Sequence, residues 1–563
     1  MWSIALAVVI LGPALSPGVV LAYDMVWSPD SRLTPFATGV GTPAPRAVPS
    51  DAVAWLVGLV LTPALSQKAI LVAVLVGASL GMVALLRHVV SGAGLTAWGV
   101  TALVSIWNPF VAERLAVGQW TVLIGYAVLP WGLRSAHRSV QGQGSRRALV
   151  LILGSAGLGG VNSVLIVATG VCAVLLAAMV SDPRRSVVSL GVACLTVVGV
   201  SAVWALPALQ AAVGVGRAGV SAFVPIADTP LGVWGSLVSG GGFWNSASHP
   251  IQREVTLIAV TAGLVSLVSF VFFVVALRRG RALLLMAPVV VGAAVVALSV
   301  LPSTYGIWAW LVTEVPGGGA LRDSHKFVAV WVVATSVGLG ALIDSVRRRA
   351  ESGLTGVVAV VVIGLVVLTS SHMIWGLGGR LDAVPVPQAY RQAAAEISSL
   401  PSGEVGLLPW NQYRRYEWNG AGVSLTLAPR IVGQRVLFDD SLPLRSGVVA
   451  GEDRRASTVS DLIGAGVAPV DAMRSVGVRY VAAELGTGLP VDEAAVRSAG
   501  RVVVDREQLL VVELDEHVTD IGTPVWHVIG WGITVLTTIM LGVVGAATRR
   551  SRRLLTSLLR SRP

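Results

Sequence analysis

The fold class is decided by residues 255 to 300, VTLIAVTAGLVSLVSFVFFVVALRRGRALLLMAPVVVGAAVVALSV. Two long apolar runs, 255 to 277 and 282 to 300, are separated by a short segment that contains three arginines. A helix of about 20 apolar residues spans the hydrocarbon core of a bilayer, and basic residues gather in the loops on its inner side. This stretch therefore predicts two membrane-spanning helices joined by a cytoplasmic loop.

Similar apolar runs recur along the whole chain, which has 563 residues, 54% of them hydrophobic and 13% charged. Average soluble domains carry about 25% charged residues, so this composition is typical of a protein that is solvated mainly by lipid. The runs predict an α-helical integral membrane protein with about twelve spanning helices. They cover residues 2 to 22, 68 to 86, 93 to 107, 119 to 134, 147 to 161, 163 to 181, 186 to 206, 255 to 277, 282 to 300, 325 to 346, 354 to 376 and 523 to 547.

The run from 147 to 181 is long for one helix and barely long enough for two. We divide it at Gly159, Gly160 and Asn162, because glycine and asparagine are common where helices end. A single tilted helix there would invert the topology of everything that follows.

Basic residues test the helix count, because cytoplasmic loops of membrane proteins are enriched in Lys and Arg. With the N-terminus inside, these clusters fall on the cytoplasmic side: Arg87, Arg134 to Arg147, Arg184 and Arg185, Arg278 to Arg281, and Arg347 to Arg349. The net charge of +11 is therefore attributed to membrane topology. We expect membrane lipids as partners and no nucleic acid, and we place the protein in the cytoplasmic membrane as a multi-pass protein.

Charged residues become frequent between Gly379 and Gly522, where short amphipathic and strand-like stretches replace the long apolar runs. We predict a polytopic membrane domain with outer-face loops at 1 to 378, an extracytoplasmic α/β domain at 379 to 522, a last spanning helix at 523 to 547 and a basic cytoplasmic tail at 548 to 563. No GxSxG, HExxH or GxGxxG motif occurs in the α/β segment. We expect this domain to cover or shape a site that lies elsewhere.

Function is sought in the outer loops, because the predicted helices carry essentially no Asp, Glu, Lys or Arg at mid-membrane depth. Ion-coupled carriers usually have such groups or broken helices at the midplane, and an ATP-driven pump needs a GxxxxGK loop. By contrast, ionisable residues stand at the outer helix ends: Asp24, Asp30, Asp51, Glu113, Arg114, His249, Arg253, Arg322, Asp323, His325 and Lys326. This distribution weakens transport as an explanation.

A carboxylate close to cationic groups at the membrane surface suits the transfer of a sugar from a lipid carrier. The carboxylate can remove the proton of an acceptor hydroxyl, while Arg, Lys and His neutralise the charge that develops on a departing polyprenyl phosphate. Lipid donors place that phosphate at the interface, which is where these helix ends are predicted to lie.

Four short motifs accompany these residues: WNPF at Trp107 to Phe110, ERL at Glu113 to Leu115, GQW at Gly118 to Trp120 and LPW at Leu129 to Trp131. With this block, residues 1 to 345 resemble the GT-C class of polytopic membrane glycosyltransferases, in particular its actinobacterial and archaeal type. The resemblance implies an acidic catalytic residue in the first outer loop, and Asp24 matches by position. It also implies helices along the membrane surface, for which residues 53 to 65 are the candidate.

The LRDSHKF segment looks like the Arg-x-x-x-Lys-Phe element that precedes a late helix in related proteins. In this chain the resemblance places Arg322 and Lys326 on the phosphate of the donor. The remaining site candidates are His325 and Arg253 on the phosphate, with Glu113, Arg114 and His249 in supporting positions. Many GT-C enzymes have two adjacent acidic residues in the first loop, whereas Met25 follows Asp24 here. A metal site is therefore left unknown, and a divalent cation is kept as a candidate cofactor.

Each candidate also has a simpler explanation. Asp24 can merely end the first helix at the interface, and its alternatives Asp30 and Asp51 stand where helix-capping residues are common. Glu113 and Arg114 can pair with each other or with headgroups. The basic group of the LRDSHKF segment can contact anionic lipid.

The sequence thus predicts an outer-face glycosyltransferase that moves a sugar from a polyprenyl-phosphate donor to a cell-envelope glycan, glycolipid or protein acceptor with inversion, and with Asp24 as the base. One alternative is a non-enzymatic membrane protein that binds or translocates polyprenyl-linked envelope precursors. Another is an accessory subunit whose outer domain recruits partners. Convergence of Asp24 and Lys326 on one outward-facing cavity would favour the enzyme.

Overall fold

The computed structural model describes the backbone of residues 1–41, 45, 47–211, 216–349, 352–444, 447–515 and 522–560. Side chains are described for the same residues except 210, 211, 217, 218, 352 and 547–560. The predicted basic tail at 548 to 563 therefore lies outside the described side chains, and residues 561–563 lie outside the described residues altogether.

Helices make up most of the protein. They are α1 (Trp2–Leu11), α2 (Pro35–Thr38), α3 (Ser50–Leu61), α4 (Pro63–Val89), α5 (Leu95–Ile106), α6 (Pro109–Ala116), α7 (Trp120–Val140), α8 (Arg146–Ala156), α9 (Gly160–Ala177), α10 (Pro183–Ala211), α11 (Arg217–Ser221), α12 (Gly232–Val238), α13 (Thr256–Arg279), α14 (Ala287–Val300), α15 (Pro302–Thr313), α16 (Val328–Arg347), α17 (Ser352–Thr369), α18 (Ile374–Gly379), α19 (Gln388–Ser399), α20 (Ala428–Ile431), α21 (Arg454–Gly464), α22 (Pro469–Ser475), α23 (Glu493–Ser498) and α24 (Val525–Arg560).

The strands are short and lie mostly in the C-terminal part. They are β1 (Val19–Val20), β2 (Ala383–Val384), β3 (Glu404–Leu408), β4 (Tyr413–Arg414), β5 (Ser424–Leu425), β6 (Arg435–Leu437), β7 (Leu442–Leu444), β8 (Gly447–Val449), β9 (Tyr480–Glu484), β10 (Arg501–Arg506) and β11 (Leu509–Glu513).

Eight stretches of the described chain are helical, long and apolar enough to cross a membrane, and a ninth is reached if one pair bent by 77° counts as a single span. The eight are Pro63–Val89, Leu95–Ala116, Arg146–Val180, Pro183–Leu209, Thr256–Arg279, Leu283–Val300, Ser324–Arg347 and Val525–Ala546. The protein is thus a multi-pass membrane protein, but the predicted number of twelve spans is not confirmed. Helix α7 has the length of a span, yet its second half carries Arg134, His137 and Arg138.

The first predicted helix, residues 2 to 22, was wrong at its outer end. Helix α1 stops at Leu11 because Gly12 has a φ of 43°, and the next turn is a 3-10 helix, Gly12–Leu15. Strand β1 follows and pairs antiparallel with β2 of the C-terminal part. A side chain at position 12 would lie 2.9 Å from the backbone Cα of Trp375, so close packing requires glycine there.

The run from 147 to 181 is broken as predicted, between helices α8 and α9. A 3-10 turn, Gly157–Gly159, joins them, and Gly160 has a φ of 66°. The ideal Cβ position of Gly132 lies 3.8 Å from Ile152 and 3.1 Å from Val171. In one straight helix these two residues would be roughly 28 Å apart. The chain therefore reverses at the glycines, so the stretch Arg146–Val180 is two helices and not one continuous span.

The C-terminal α/β region is confirmed. Its five-stranded sheet has the order β10-β11-β9-β3-β6, with β3 parallel to both β6 and β9 and with the other pairs antiparallel. Strand β9 is buried throughout, as are most residues of β11. Helix α19 and the hairpin of β10 and β11 both lie within the α/β domain predicted at 379 to 522.

This α/β region is tied to the first loop of the membrane domain. The backbone N–H of Tyr23 donates to the carbonyl of Val423 at 2.8 Å, and the N–H of Leu425 donates to the carbonyl of Tyr23 at 3.0 Å. Strand pairing between β1 and β2 adds a second connection. The first loop is therefore held by backbone hydrogen bonds from the α/β region.

The opposite end of the bundle carries a separate polar cluster. Asp344 pairs with Arg347 at 2.8 Å and with Arg348 at 2.6 Å, and it accepts a hydrogen bond of 3.1 Å from the backbone N–H of Gly94. A buried aspartate is stabilised in its charged form by such pairing. The two ends of the bundle thus differ, and the end with the α/β region is the predicted outer face.

Candidate active site

Asp24 lies at the tip of a tight turn in the first loop. Ala22 and Met25 exchange two backbone hydrogen bonds of 2.9 Å, and the N–H of Asp24 donates to the carbonyl of Val117 at 3.1 Å. Gly118 makes this approach possible, since a Cβ there would lie 2.2 Å from the backbone nitrogen of Met25. The side chain of Asp24 is exposed. The GQW motif therefore forms the surface against which the Asp24 turn packs.

Gln119 connects Asp24 to the interior. Its Nε2 donates to Oδ2 of Asp24 at 3.2 Å, and its Oε1 accepts a hydrogen bond from Nη1 of Arg114. A guanidinium can only donate, so the amide oxygen of Gln119 must face Arg114 and the amide nitrogen must face Asp24. The orientation of Gln119 is thereby fixed.

Arg114 is fully buried and connects several predicted site residues. It donates to Oδ2 of Asp323 at 2.6 Å and to Oδ1 at 3.3 Å, and its Nη2 lies 3.0 Å from Nδ1 of His325. Burial raises the pKa of Asp323, but the charge and hydrogen bonds of Arg114 outweigh it, so the pKa of Asp323 is lowered. The predicted first loop and the predicted LRDSHKF segment therefore meet at Arg114.

His325 is held in one tautomer. Arg114 can only donate to Nδ1, so Nδ1 is the acceptor, and Nε2 donates to the carbonyl of Gly241 at 3.0 Å. The ring also stacks on Phe110 with a centroid distance of 5.7 Å. Both nitrogens of the neutral imidazole are therefore used within the protein.

Glu113 lies in the same buried cluster, and its Oε2 is 3.7 Å from Nε2 of His325. The side chain is fully buried, and its carboxyl group hydrogen-bonds the side chain of Asp228. Arg253 and Arg114 also lie close to it. A hydrogen bond between two carboxyl groups needs a proton on one of them, and Arg253 pairs with Asp228, so this position favours a neutral Glu113.

Arg253 forms an ion pair with Asp228, which was not among the predicted site residues. Its Nε donates to Oδ2 of Asp228 at 2.5 Å and its Nη2 to Oδ1 at 3.0 Å, with a further bond of 2.9 Å to Ser239 Oγ. Burial raises the pKa of Asp228, whereas Arg253 and the surrounding hydrogen bonds lower it more, so the net pKa is lowered. The pair is almost completely buried.

Lys326 and Arg322 differ in exposure. Lys326 is buried, and its Nζ donates to Oδ1 of Asn162 and to the carbonyl of Ala320, both at 2.7 Å. The side chain of Arg322 is 21% exposed, and it pairs with Glu452 of the α/β region at 3.0 Å. Arg322 is thus the more accessible of the two cations.

The remaining candidates lie around this cluster. His249 donates from Nε2 to the carbonyl of Phe243 at 2.6 Å, and Phe243 lies beneath the guanidinium of Arg114 at 4.3 Å. Asp30 pairs with Arg391, and Asp51 pairs with Arg430 at 2.8 Å. Both aspartates therefore attach the first loop to the α/β region.

No group of three or more His, Cys, Asp or Glu side chains suited to a metal ion occurs among the described residues. The candidate divalent cation therefore has no such group of ligands among the residues that the structure describes.

A long apolar groove of about 1450 Å³ runs between α3, α8 and α24. Within the described residues, its walls carry no Asp, Glu, Lys or Arg. On α24 it extends from His527 to Ala546, a rise of roughly 28 Å at 1.5 Å per residue. Pro49 and Gly157 line it near the α8–α9 turn, which precedes the Asn162 that binds Lys326.

The chain was compared with known proteins. No family model matches the sequence, and no curated protein matches it. The cryo-EM structure of arabinofuranosyltransferase AftD from Mycobacteria is similar at a TM-score of 0.59 and 13% identity, covering 91% of this chain and 39% of AftD. The protein has the GT-C fold.

A structure of an AftD mutant gives a TM-score of 0.56 at 14% identity, covering 86% of this chain and 36% of that one. The chain therefore spans about two fifths of the length of the AftD structures that it matches. At this identity the likeness shows the fold.

The GT-C fold brings together the predicted residues Asp24, Glu113, Arg114, Arg253 and His325, with Lys326 next in sequence. Four further positions contact them directly but were not predicted as site residues: Gln119, Asn162, Asp228 and Asp323. Gln119 lies inside the GQW motif, Asp323 was named at an outer helix end, and Asn162 was named only as a helix break. Nothing in the sequence distinguishes Asp228, because its partner Arg253 is remote along the chain.

Proposed function

We propose that the protein is a glycosyltransferase of the outer face of the cytoplasmic membrane. It moves a sugar from a polyprenyl-phosphate donor to a cell-envelope glycan, glycolipid or protein acceptor, with inversion at the anomeric carbon. The observation that carries this proposal is the chain of contacts from exposed Asp24 through Gln119 and Arg114 to Asp323 and His325. It links a candidate base to the cationic segment expected to bind phosphate.

Asp24 acts as the general base. Its carboxylate takes the proton of the acceptor hydroxyl while that oxygen attacks the anomeric carbon, and the bond from this carbon to the phosphate oxygen of the donor breaks. Attack opposite to the leaving group inverts the configuration. The polyprenyl phosphate departs with the electron pair of the broken bond.

Lys326 and Arg322 bind the departing phosphate. The acceptors of Lys326, an amide and a carbonyl, are neutral, so its charge is available to a phosphate that displaces one of them. His325 and Arg253 were also predicted on the phosphate. Their contacts with Arg114, Gly241 and Asp228 support a positioning role for both residues.

The apolar groove holds the polyprenyl chain. Its length on α24, roughly 28 Å, is close to the whole hydrocarbon thickness of about 30 Å, so it exceeds the depth of one leaflet. A long isoprenoid chain can fill such a groove, whereas an ordinary acyl chain from the outer leaflet would fill about half. The described residues that line the groove carry no formal charge, which suits an apolar polyprenyl chain.

AftD is by name an arabinofuranosyltransferase. A pentofuranosyl donor is therefore the first to test, and a hexosyl donor is the second.

The experiment uses purified protein in nanodiscs with each polyprenyl-phosphate sugar and an envelope-glycan acceptor. We expect release of polyprenyl phosphate by the wild type and its loss in Asp24→Asn, with donor binding unchanged, because asparagine keeps the shape but cannot accept the proton. Asp471→Asn is the matched control, because Asp471 is an exposed aspartate of α22 that lines none of the cavities described here. Donor binding without any release in the wild type would instead support the non-enzymatic carrier.

A further inference from the structure

A polar cleft of about 670 Å³ lies where the first loop meets α19 of the α/β region. Asp30 and Arg32 line it from the loop, and Gln388, Arg391 and Gln392 line it from one face of α19. The cleft is thus built jointly by the membrane domain and the α/β region. The phosphate-binding residues proposed above are not among its lining residues.

Several polar groups face the cleft without a protein partner. The side chains of Arg32, Gln388 and Gln392 make no hydrogen bond or ion pair with any described residue, and all three are exposed. Arg391 directs both of its bonds to Oδ1 of Asp30, which leaves Oδ2 of Asp30 without a donor from the described residues. The cleft therefore offers several donors and acceptors in a fixed frame.

One ion pair joins the two sides of the cleft. Arg391 pairs with Asp30, and α19 packs its buried face, including Tyr390 and Ile397, against the rest of the α/β region. The anchored Asp30–Arg391 pair thus fixes the spacing between the loop and helix sides.

This chemistry fits a saccharide. Sugar hydroxyls donate and accept at the same time, and an amide side chain does the same with its NH₂ and C=O groups. An anion site would gather several cations around one point, but here Arg391 is neutralised by Asp30. A protein partner would need buried aromatic or aliphatic anchors, whereas six of the eight residues that line this cleft are polar.

The cleft and the candidate base belong to the same loop. Asp30, which lines the cleft, stands six residues after Asp24. A smaller cavity shares Asp30 and Arg32 with the cleft and is also lined by Trp27, which packs against Trp120 at a centroid distance of 5.2 Å. Trp120 follows Gln119, the residue that contacts Asp24. A glycan bound in the cleft would thus contact the loop that carries the candidate base.

We propose that this cleft binds the acceptor as a glycan, several sugars away from the hydroxyl that reacts. The inference rests on the proposed function, and it narrows the acceptor from glycan, glycolipid or protein to a molecule that carries an oligosaccharide.

The test measures binding of fluorescently labelled linear oligosaccharides, one series pentofuranosyl and one hexopyranosyl, to the full chain in nanodiscs. We expect Arg32→Ala and Gln392→Ala each to weaken binding several-fold, and the double variant to weaken it about tenfold or more. Arg454→Ala is the matched control, because Arg454 is an exposed arginine of the α/β region outside the cleft. Its binding should equal that of the wild type.

A transfer assay separates this inference from the proposed function. The double variant should raise KM for a long acceptor while leaving transfer to a single-sugar acceptor unchanged, whereas Asp24→Asn should abolish both. Equal affinity of the double variant and the wild type would overturn the glycan cleft, as would a lack of binding by both oligosaccharide series. Displacement of a bound oligosaccharide by inorganic phosphate would also overturn it, since the cleft would then be an anion site.

Discussion

Nε2 of Gln119 donates a hydrogen bond of 3.2 Å to Oδ2 of Asp24, across 95 positions of sequence. Because Arg114 fixes the oxygen of the same amide, the glutamine cannot turn its acceptor toward the carboxylate. Gln119 is therefore a positioning residue for the candidate base. The relationship leads to the first prediction.

Gln119→Ala removes the donor that stabilises the ionised form of Asp24. A base that loses such a hydrogen bond is deprotonated only at higher pH, so the acidic limb of the pH–rate profile should move upward by up to about one pH unit. We expect kcat to fall more than donor affinity. Gln119→Glu is the companion variant, since a second carboxylate beside Asp24 should move the limb further in the same direction. An unshifted limb in both variants would contradict the role.

Arg322→Ala and Lys326→Ala should each weaken binding of a polyprenyl-phosphate analogue in nanodiscs by about ten- to a hundredfold. A hydrogen bond to a charged group contributes roughly 1.5 to 3 kcal/mol, and 1.4 kcal/mol corresponds to one decade. If neither variant changes the affinity, the LRDSHKF segment does not bind the donor phosphate.

Arg253→Ala is the contrasting variant. Its loss leaves Asp228 buried and unpaired, which costs about 3 to 5 kcal/mol. We expect a lower Tm in the nanodisc-reconstituted protein. Combining Asp228→Asn with Arg253→Ala should recover part of the lost Tm. A normal Tm together with a large loss of donor affinity would instead indicate that Arg253 binds the phosphate, as the sequence predicted.

Glu113 should tolerate replacement by glutamine but not by alanine. Glutamine matches the shape of the neutral acid and can donate to Asp228 in its place, whereas alanine leaves a cavity beside Asp228 and His325. We expect near-normal Tm and transfer rate for Glu113→Gln and a loss of both for Glu113→Ala. Equal losses in the two variants would show that the negative charge of Glu113 is required.

The groove is tested by filling it. Gly542 lines the groove, and a Cβ there meets no atom within 4 Å, so Gly542→Phe should project a ring into the space proposed for the lipid chain. We expect donor affinity to fall about tenfold or more, the loss of several apolar contacts. Val543→Phe is the matched control, because this neighbour is 64% exposed and does not line the groove. If both variants bind the donor with the same affinity, the polyprenyl chain does not lie in this groove.

Much of the architecture follows from local sequence. The span at 255 to 277, the break near Gly160 and the sheet of the α/β region were all predicted, because hydrophobic period and glycine conformation act over a few residues. The end of α1 was missed. Its stop depends on Gly12 packing against Trp375, a neighbour created only by the fold.

The sequence by itself determined that this is a multi-pass membrane protein, that ionisable residues stand at the ends of its apolar runs, and that its short motifs resemble GT-C enzymes. Only the tertiary structure decided which partner each charge has. Asp51 meets Arg430 across 379 positions, and Arg114 meets Asp323 across 209. The physical reason is that a buried charge needs a partner in space, and folding chooses that partner without regard to distance along the chain.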